Sequence, residues 1–309
     1  MISLVRFVVF RFVVRIIWIG LLATFGIQLL LTFLPPKRMI DPRSVFEEKT
    51  IVQEWSTAKY VDWLLELGKG NPQISDSIKG DWQFKELRSR ARSTLVLCFN
   101  AFIVASLIGI MVGTVQATLD NQVVSGQNKF FMKLLSSFSS LTLFFLSSIP
   151  AYIIAYFLFL MLKSESNLFL AVLALALGSG SAMDVQRLSS NVHSRELQSK
   201  YIENALACGL KTGGIAPLPG SVSWHAFRNS LITILPVTAY RLPLIVSSAL
   251  VVEVVFDLAG LGDSLLSSLI QQDVPMVLTI ILISVVFVQV CVFLADIFVY
   301  LLHPQKHAA

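Results

Sequence analysis

The run IIWIGLLATFGIQLLLTFL, residues 16–34, decides the class of fold. It contains 19 residues and none of them is charged. A helix needs about 20 apolar residues to cross the roughly 30 Å hydrocarbon core of a bilayer. Arg6, Arg11 and Arg15 precede the run, and PPKR follows it where a cleaved signal would end in small residues. We therefore expect a retained first transmembrane helix.

The rest of the sequence repeats this apolar pattern. Hydrophobic residues make up 55% of the 309 residues and charged residues 14%, with a mean hydropathy of +0.74, whereas soluble domains contain about 25% charged residues. The composition predicts an all-α integral membrane protein with six transmembrane helices. The candidate spans are residues 14–34, 94–118, 134–162, 167–183, 229–256 and 276–302. Pro150 predicts a kink in the third span, and Pro236 and Pro243 predict interrupted backbone hydrogen bonding in the fifth.

Charge between the spans predicts the orientation. The segment 184–228 contains five Lys or Arg residues, whereas residues 257–273 contain none and have three Asp. Because cytoplasmic loops are enriched in Lys and Arg, we expect segment 184–228 and both termini in the cytoplasm. The same distribution accounts for the net charge of +5, so we expect a lipid bilayer as the surrounding partner and no nucleic acid.

This orientation divides the chain into four regions. Residues 1–34 hold the basic flank and the first span, and residues 35–93 form an external segment with two short amphipathic helices, in WSTAKYVDWLLELGKG and DWQFKELRSRAR. Residues 94–304 form a core of five spans, and residues 305–309 are a tail.

Catalytic motifs are missing from the sequence. It has no GxxxxGK[ST] loop for phosphates, no GxSxG and no HExxH. Its three cysteines, Cys98, Cys208 and Cys291, have no metal-ligand spacing, and His193 lies in a predicted cytoplasmic loop where we expect it to be solvated. We therefore expect a chain that is not an enzyme and binds no cofactor or metal. Energy for uphill transport would come from an ion gradient or from another polypeptide.

Three charged residues interrupt the apolar spans, namely Arg241, Glu253 and Asp296. Charges at bilayer depth are costly and usually face the interior of a bundle or water. Arg241 is either a pathway residue that meets a substrate carboxylate, or a member of an internal ion pair, or a snorkelling side chain. Gly109 and Gly113 form a GxxxG pattern in the second span, which predicts close helix approach.

The stretch YIENALACGL, residues 201–210, is too polar for a span. Upstream of it, apolar residues from Val185 to Leu206 recur at spacings of three and four, which predicts one amphipathic helix. Gly209 ends this helix in a left-handed turn, since glycine has no β-carbon to clash. A second helix begins near Ser221 or Ser223 and continues into the fifth span. The first helix either rests on lipid or fits a groove in a soluble partner.

Several motifs follow each other in the order of a known family. They are YIENALACGL, HAFRNSLITILP, VVEVVFDLAGLGDSLLSSLIQQDVPMV and DIFVYLLHP, with STL, IGIMVG and SSIP as weaker matches. Over residues 90 to 304 the chain resembles the B-type permease subunits of bacterial dipeptide, oligopeptide and nickel ABC importers. The positions that match are Ala205, Ala207, Gly209, Arg228, Asn229, Glu253, Phe256, Gly260, Leu261, Gly262, Asp273, Pro275, Asp296 and Pro304.

The resemblance implies a permease in a bacterial inner membrane that forms half of a translocation pathway for a peptide or related small solute. Its implied partners are a C-type permease, two cytoplasmic ABC ATPases that use ATP and Mg²⁺, and an external substrate-binding protein. The implied ATPase-coupling residues are Tyr201, Glu203, Ala205, Ala207, Gly209 and Leu210. Candidate pathway or gate residues are Arg241, Glu253, Gly260, Gly262 and Asp273. Gly260 and Gly262 could instead form a tight turn.

Two other functional classes are the alternatives. An ion-coupled secondary transporter would use Arg241, Glu253 and Asp296 as a relay, and a membrane scaffold would transport nothing.

Overall fold

Helices make up most of the structure. The computed structural model describes residues 2–32, 37–40, 50–53, 57–68, 82–121, 129–162, 167–210, 221–271 and 273–302. The helices are α1 (Ile2–Thr32), α2 (Thr57–Gly68), α3 (Trp82–Asp120), α4 (Lys129–Ser148), α5 (Ala151–Leu162), α6 (Leu168–Gly178), α7 (Ser181–Leu197), α8 (Lys200–Ala207), α9 (Val222–Ala239), α10 (Leu242–Val255), α11 (Leu261–Gln271) and α12 (Val274–Leu302). Two strands, β1 (Lys37–Ile40) and β2 (Thr50–Gln53), pair antiparallel with Lys37 opposite Gln53.

Among the described residues, three single helices are long and apolar enough to cross a membrane. Their apolar segments are Phe12–Leu29, Lys85–Asp120 and Val274–Ile297. Three bent helix pairs pass the same test when each pair is taken as one span: α4 with α5, α6 with α7, and α9 with α10. Length and composition therefore give three spans, or up to six if each bent pair crosses once.

Each bent pair has a local cause for its break. α4 and α5 meet at 99° around Pro150, which has no backbone N–H to continue the helix. α6 and α7 meet at 53°, where Gly180 adopts a left-handed φ of 74°. α9 and α10 meet at 48°, and Pro243 lies in the first turn of α10, where proline is favoured. The kink predicted at Pro150 is confirmed. In the fifth span Pro236 lies within α9, and the helix breaks at Tyr240–Arg241, just before Pro243.

The chain divides into two compact units. The first unit comprises Met1–Arg92 with Ala259–Val290, and the second comprises Ser93–Leu258 with Cys291–Ala309. In the first unit, Tyr60 and Trp63 of α2 are buried with Leu278 of α12. The Tyr60 hydroxyl lies 2.9 Å from the Thr24 hydroxyl of α1. The second unit contains α4 to α10 and the longer part of α3.

One of the two short helices predicted for segment 35–93 is not separate. A helix forms in the first part of segment 35–93, as α2, but the second expected short helix is the beginning of α3, which runs from Trp82 into the second span without a break. Its Lys, Arg and Glu side chains are good helix formers, so nothing local ends it. β1, β2 and α11 were not predicted. The tail at residues 305–309 and the family match at Pro304 lie outside the described residues.

Candidate functional site

The three bent pairs of the second unit meet at their breaks. On one side of the breaks α5, α6 and α10 pack against each other, and on the other side α7 packs against α4 and α9. We call the three breaks together, at residues 149–150, 179–180 and 240–241, the bend layer. Gly178 lies directly against α5, because a β-carbon on it would come within 2.5 Å of the Ala151 Cα.

An ion pair joins two of these breaks. The Arg241 guanidinium donates to Asp184 Oδ2 across 2.7 Å, and the two side chains are 35% and 38% exposed. Asp184 lies in the first turn of α7, where a negative charge is favoured by the helix dipole. Arg241 is the N-cap residue of α10, where a positive charge is disfavoured by the same dipole. Asp184 thus neutralises a charge that is costly at a helix N-terminus, and sequence reasoning did not find this partner.

Tyr240 provides a second contact at the same break. Its hydroxyl donates to Asp296 Oδ1 of α12 across 2.5 Å. The two adjacent residues Tyr240 and Arg241 therefore contact different acids, Asp296 and Asp184. Glu253 is 1% exposed and lies 12 residues along α10 from Arg241, or about 18 Å at 1.5 Å per residue. The structure does not bring Arg241, Glu253 and Asp296 into one cluster.

α8 is a short helix with a complete C-terminal cap. The N–H of Gly209 donates to the Leu206 carbonyl and the N–H of Leu210 donates to the Ala205 carbonyl, which is the Schellman pattern. Gly209 has the predicted left-handed φ, at 88°. The predicted single helix from Val185 to Leu206 is wrong, because the chain breaks at Gln198–Ser199 and forms α7 and α8 separately.

α8 buries few side chains. Ile202 packs with Leu197, Val222 and Ala226, and Ala205 and Leu210 are partly buried against the same cluster. The other predicted coupling residues of this helix, namely Tyr201, Glu203 and Ala207, are exposed. The Tyr201 hydroxyl donates to Glu196 across 2.6 Å. Partial burial, and to a smaller extent the Glu196 carboxylate, raise the pKa of Tyr201. Ser221 caps α9 by accepting from the Trp224 N–H at 3.2 Å, as predicted.

Polar groups also lie between α3, α4, α7 and α9. The Gln186 amide donates to Gln116 at 2.6 Å and to Ser140 at 2.8 Å. His193 is fully buried, so the prediction of a solvated histidine is wrong, and its Nδ1 lies 3.0 Å from Ser230 Oγ.

The close helix approach predicted from the GxxxG pattern is confirmed. A β-carbon on Gly109 would lie 2.7 Å from the Ala182 carbonyl, and one on Gly113 would overlap the Gln186 carbonyl.

The GLG segment begins α11 in the first unit. Gly260 precedes α11 and Gly262 lies in its first turn, and among the described glycines only Gly180 and Gly209 have positive φ. Arg90 of α3 donates to Asp263 at 2.6 Å and to Ser264 at 3.0 Å, a pairing that sequence reasoning missed. Asp273 is buried before α12 and accepts from the Met276 N–H at 3.3 Å.

Comparison with known families gives a match over most of the second unit. The family described as binding-protein-dependent transport system inner membrane component matches residues 105–307. The chain belongs to this family. The matched residues include the whole bend layer, α8 and α11, whereas α1, α2 and the two strands precede them. Family members are membrane permease subunits and not catalytic ones.

Individual relatives of this permease are named for peptide and metal-chelate transport. It is 25% identical over 297 residues to the oligopeptide transport system permease protein AppB of Bacillus subtilis, covering 88% of this chain and 89% of AppB. It is 24% identical to the metal-staphylopine import system permease protein CntB of Staphylococcus aureus, over 80% of this chain and 76% of CntB. A putative peptide transport system permease protein of Brucella suis is 31% identical over 36% of this chain and 33% of its own length. Within the described part of this permease, no group of three or more His, Cys, Asp or Glu residues could hold a metal ion.

Proposed function

We propose that this permease is one half of the translocation pathway of an ATP-driven importer in a bacterial inner membrane. The other half is a C-type permease, and two cytoplasmic ATPases and an external substrate-binding protein complete the assembly. The observation that carries the proposal is α8, a capped helix inside the family-matched region that keeps Tyr201, Glu203 and Ala207 exposed. Segment 184–228 and both termini lie in the cytoplasm in this arrangement, and six spans cross the membrane.

The proposed substrate is a peptide or a related small solute. AppB is named for oligopeptides and CntB for metal-staphylopine, and both align with most of this chain. The external binding protein delivers the solute, and ATP with Mg²⁺ is bound by the ATPases alone.

The proposed coupling runs through packed helices. α8 contacts the beginning of α9 through Ile202, Val222 and Ala226, and α9 packs along α7. α7 begins and α9 ends at the bend layer, where Asp184 and Arg241 pair. When the ATPases close on ATP, they draw α8 of both permeases together, so α7 and α9 tilt and the pathway opens to the outside. Allosteric coupling of this kind requires packed elements that have two discrete arrangements.

The proposed outer gate is the segment around α11. Gly260, Gly262 and Asp273 lie at the two ends of this helix, and Arg90 holds its first turn through Asp263. This segment faces the binding protein in the proposed orientation.

The test of the proposal is purification of the tagged native complex, followed by identification of its subunits and ATP-driven uptake in proteoliposomes. We expect a second permease, two ATPase subunits and uptake that stops when ATP is depleted. Uptake that survives ATP depletion and collapses with a protonophore would contradict the proposal. Gly209→Ala should reduce ATPase co-purification, while Gly26→Ala is the matched control, since a β-carbon on Gly26 meets nothing within 4 Å.

A further inference from the structure

We propose that Asp184 and Arg241 form a binding subsite for a dipolar solute, one that carries both an ammonium and a carboxylate group. This inference rests on the proposed function, because it places the subsite on the translocation pathway. Arg241 would bind the carboxylate and Asp184 the ammonium. The pairing of these two residues with each other is then the resting arrangement of the subsite.

Helix lengths place the two charges near the middle of the membrane. α6 spans 11 residues before its break and α10 spans 14 residues after its own, which correspond to about 16 Å and 21 Å at 1.5 Å per residue. The hydrocarbon core is about 30 Å thick. The breaks that carry Asp184 and Arg241 therefore lie about one half to two thirds of the way across the core, and transporters commonly bind their solutes at such helix breaks.

Exposure shows that neither charge is enclosed in a closed core of this permease. A charge at this depth is costly unless it faces a partner or a water-filled cavity. The Arg241 and Asp184 side chains are 35% and 38% exposed, whereas Glu253 on the same α10 is 1% exposed.

Both groups keep binding capacity in the resting pair. A guanidinium has five N–H donors and a carboxylate has two acceptor oxygens, and the ion pair uses Nη1 of Arg241 and Oδ2 of Asp184. Neither side chain has another partner among the described residues. The N-terminus of α10 adds a positive helix-dipole end beside Arg241, so a carboxylate there is attracted by two sources.

The resting pair is electrically neutral, which favours dipolar solutes. A solute that brings one charge of each sign replaces both contacts and leaves no charge unpaired. A solute with only one charge satisfies one residue and leaves the other unpaired in a low-dielectric site, which is unfavourable.

The test measures uptake of three probes by the complete complex in proteoliposomes with its binding protein. The probes are trialanine, its C-terminal amide and its N-acetyl form. Arg241→Gln should lower uptake of trialanine and of the N-acetyl form about tenfold, equivalent to ~1.4 kcal/mol, and should leave uptake of the amide unchanged or raise it. Asp184→Asn should lower uptake of trialanine and of the amide, and should leave uptake of the N-acetyl form unchanged or raise it. Each variant is compared with wild type on the same probe, so preferences of the binding protein cancel.

A structural role would give a different pattern. If a single-charge variant lowers uptake of all three probes by the same factor, or lowers uptake of none, the proposed subsite is overturned. If a single variant fails to assemble, Asp184→Asn with Arg241→Gln removes both charges together. Relative to wild type on the same probe, this double variant should lower uptake of trialanine more than uptake of the amide or of the N-acetyl form. An equal change for all three probes in the double variant would also overturn the subsite. Tyr240→Phe is the control at the same break, because it removes the contact to Asp296 and should affect the three probes equally.

The dipolar subsite and the proposed function can be contradicted independently of each other. A wild-type complex that moves none of the three probes would overturn the dipolar subsite, while ATPase subunits that still co-purify would support the proposed function. Absence of ATPase subunits would instead contradict the proposed function.

Discussion

The bend layer and α8 both contain a break next to a left-handed glycine, but their surroundings differ. At the bend layer Gly180 follows Gly178, which lies directly against Ala151, and an ion pair joins two of the breaks. At α8, Gly209 ends an eight-residue helix, a β-carbon on it would meet nothing within 4 Å, and Ile202 is the buried side chain of the helix. One break is fixed by contacts on several sides, and the other mainly by its own backbone cap.

This difference suggests a division of roles. A segment with few buried contacts can change its position at low cost in free energy, whereas packed elements change between discrete arrangements. Under the proposed function, α8 contacts the ATPase that moves it, and the bend layer transmits that movement to the pathway. The variants below change either the packing or the backbone of each region, so that the two contributions can be measured separately.

Gly113→Ala should have the largest effect. A β-carbon on Gly113 would overlap the Gln186 carbonyl and lie 2.7 Å from Ser189 Cβ, so α3 must move away from α7. Forcing extra atoms into a packed interior costs about 1–3 kcal/mol. We expect a lower melting temperature in detergent, measured by thermal unfolding of the purified permease.

Gly26→Ala is the matched control for Gly113→Ala. Gly26 is also a helical glycine, but a β-carbon there meets no atom within 4 Å. Alanine raises helix stability by roughly 0.5–1 kcal/mol relative to glycine, so the control should be neutral or slightly stabilising. Equal destabilisation by both variants would contradict the close contact of α3 with α7.

The features that could be predicted from the sequence are those set by a single residue and its near neighbours. Gly209, Ser221 and the kink at Pro150 follow from one residue and its neighbours, because glycine, serine and proline have strong backbone preferences. The close approach at Gly109 and Gly113 follows from spacing on one helix face.

The remaining features depend on contacts between distant residues. Asp184 as the partner of Arg241, and Arg90 as the partner of Asp263, join residues that are 57 and 173 positions apart. The break at Tyr240–Arg241 lies within an apolar run, so hydropathy does not mark it, and of the two prolines in this run only Pro243 lies next to it. His193 is expected in solvent because it falls in a predicted loop, but the segment forms α7 and His193 contacts Ser230 of α9.

A double-mutant cycle on Asp184 and Arg241 should give the second largest effect. Asp184→Ala and Arg241→Ala each leave one charge unpaired, whereas the double variant leaves none. We expect a coupling free energy of about 1 kcal/mol, since the pair is partly exposed and the exposed fraction is screened by solvent. Thermal or denaturant unfolding of the four proteins measures it, and a coupling of zero would remove the pair as a stabilising contact of the bend layer.

Gly180→Ala and Gly209→Ala compare the two left-handed breaks directly. Their φ angles are 74° and 88°, and neither β-carbon would meet an atom within 4 Å. Both variants therefore carry the same backbone strain, about 1 kcal/mol. We expect Gly209→Ala to weaken ATPase co-purification with little change in substrate discrimination, and Gly180→Ala to do the reverse. The same functional change in both would contradict the division of roles.

Tyr201→Phe should have the smallest effect and a defined pH dependence. Burial and the Glu196 carboxylate raise the pKa of Tyr201, so folding favours the neutral phenol. This contribution is fully present below the unfolded pKa of about 10 and is lost as pH rises through the higher folded pKa. The contact is exposed, so we expect a loss of about 0.5 kcal/mol near pH 8 that shrinks above pH 10, measured by unfolding wild type and variant across this range. Glu196→Gln should weaken the same pH dependence by removing the negative charge. A difference between wild type and Tyr201→Phe that stays constant with pH would show that α8 is held without this hydrogen bond, by Ile202 and its backbone cap alone.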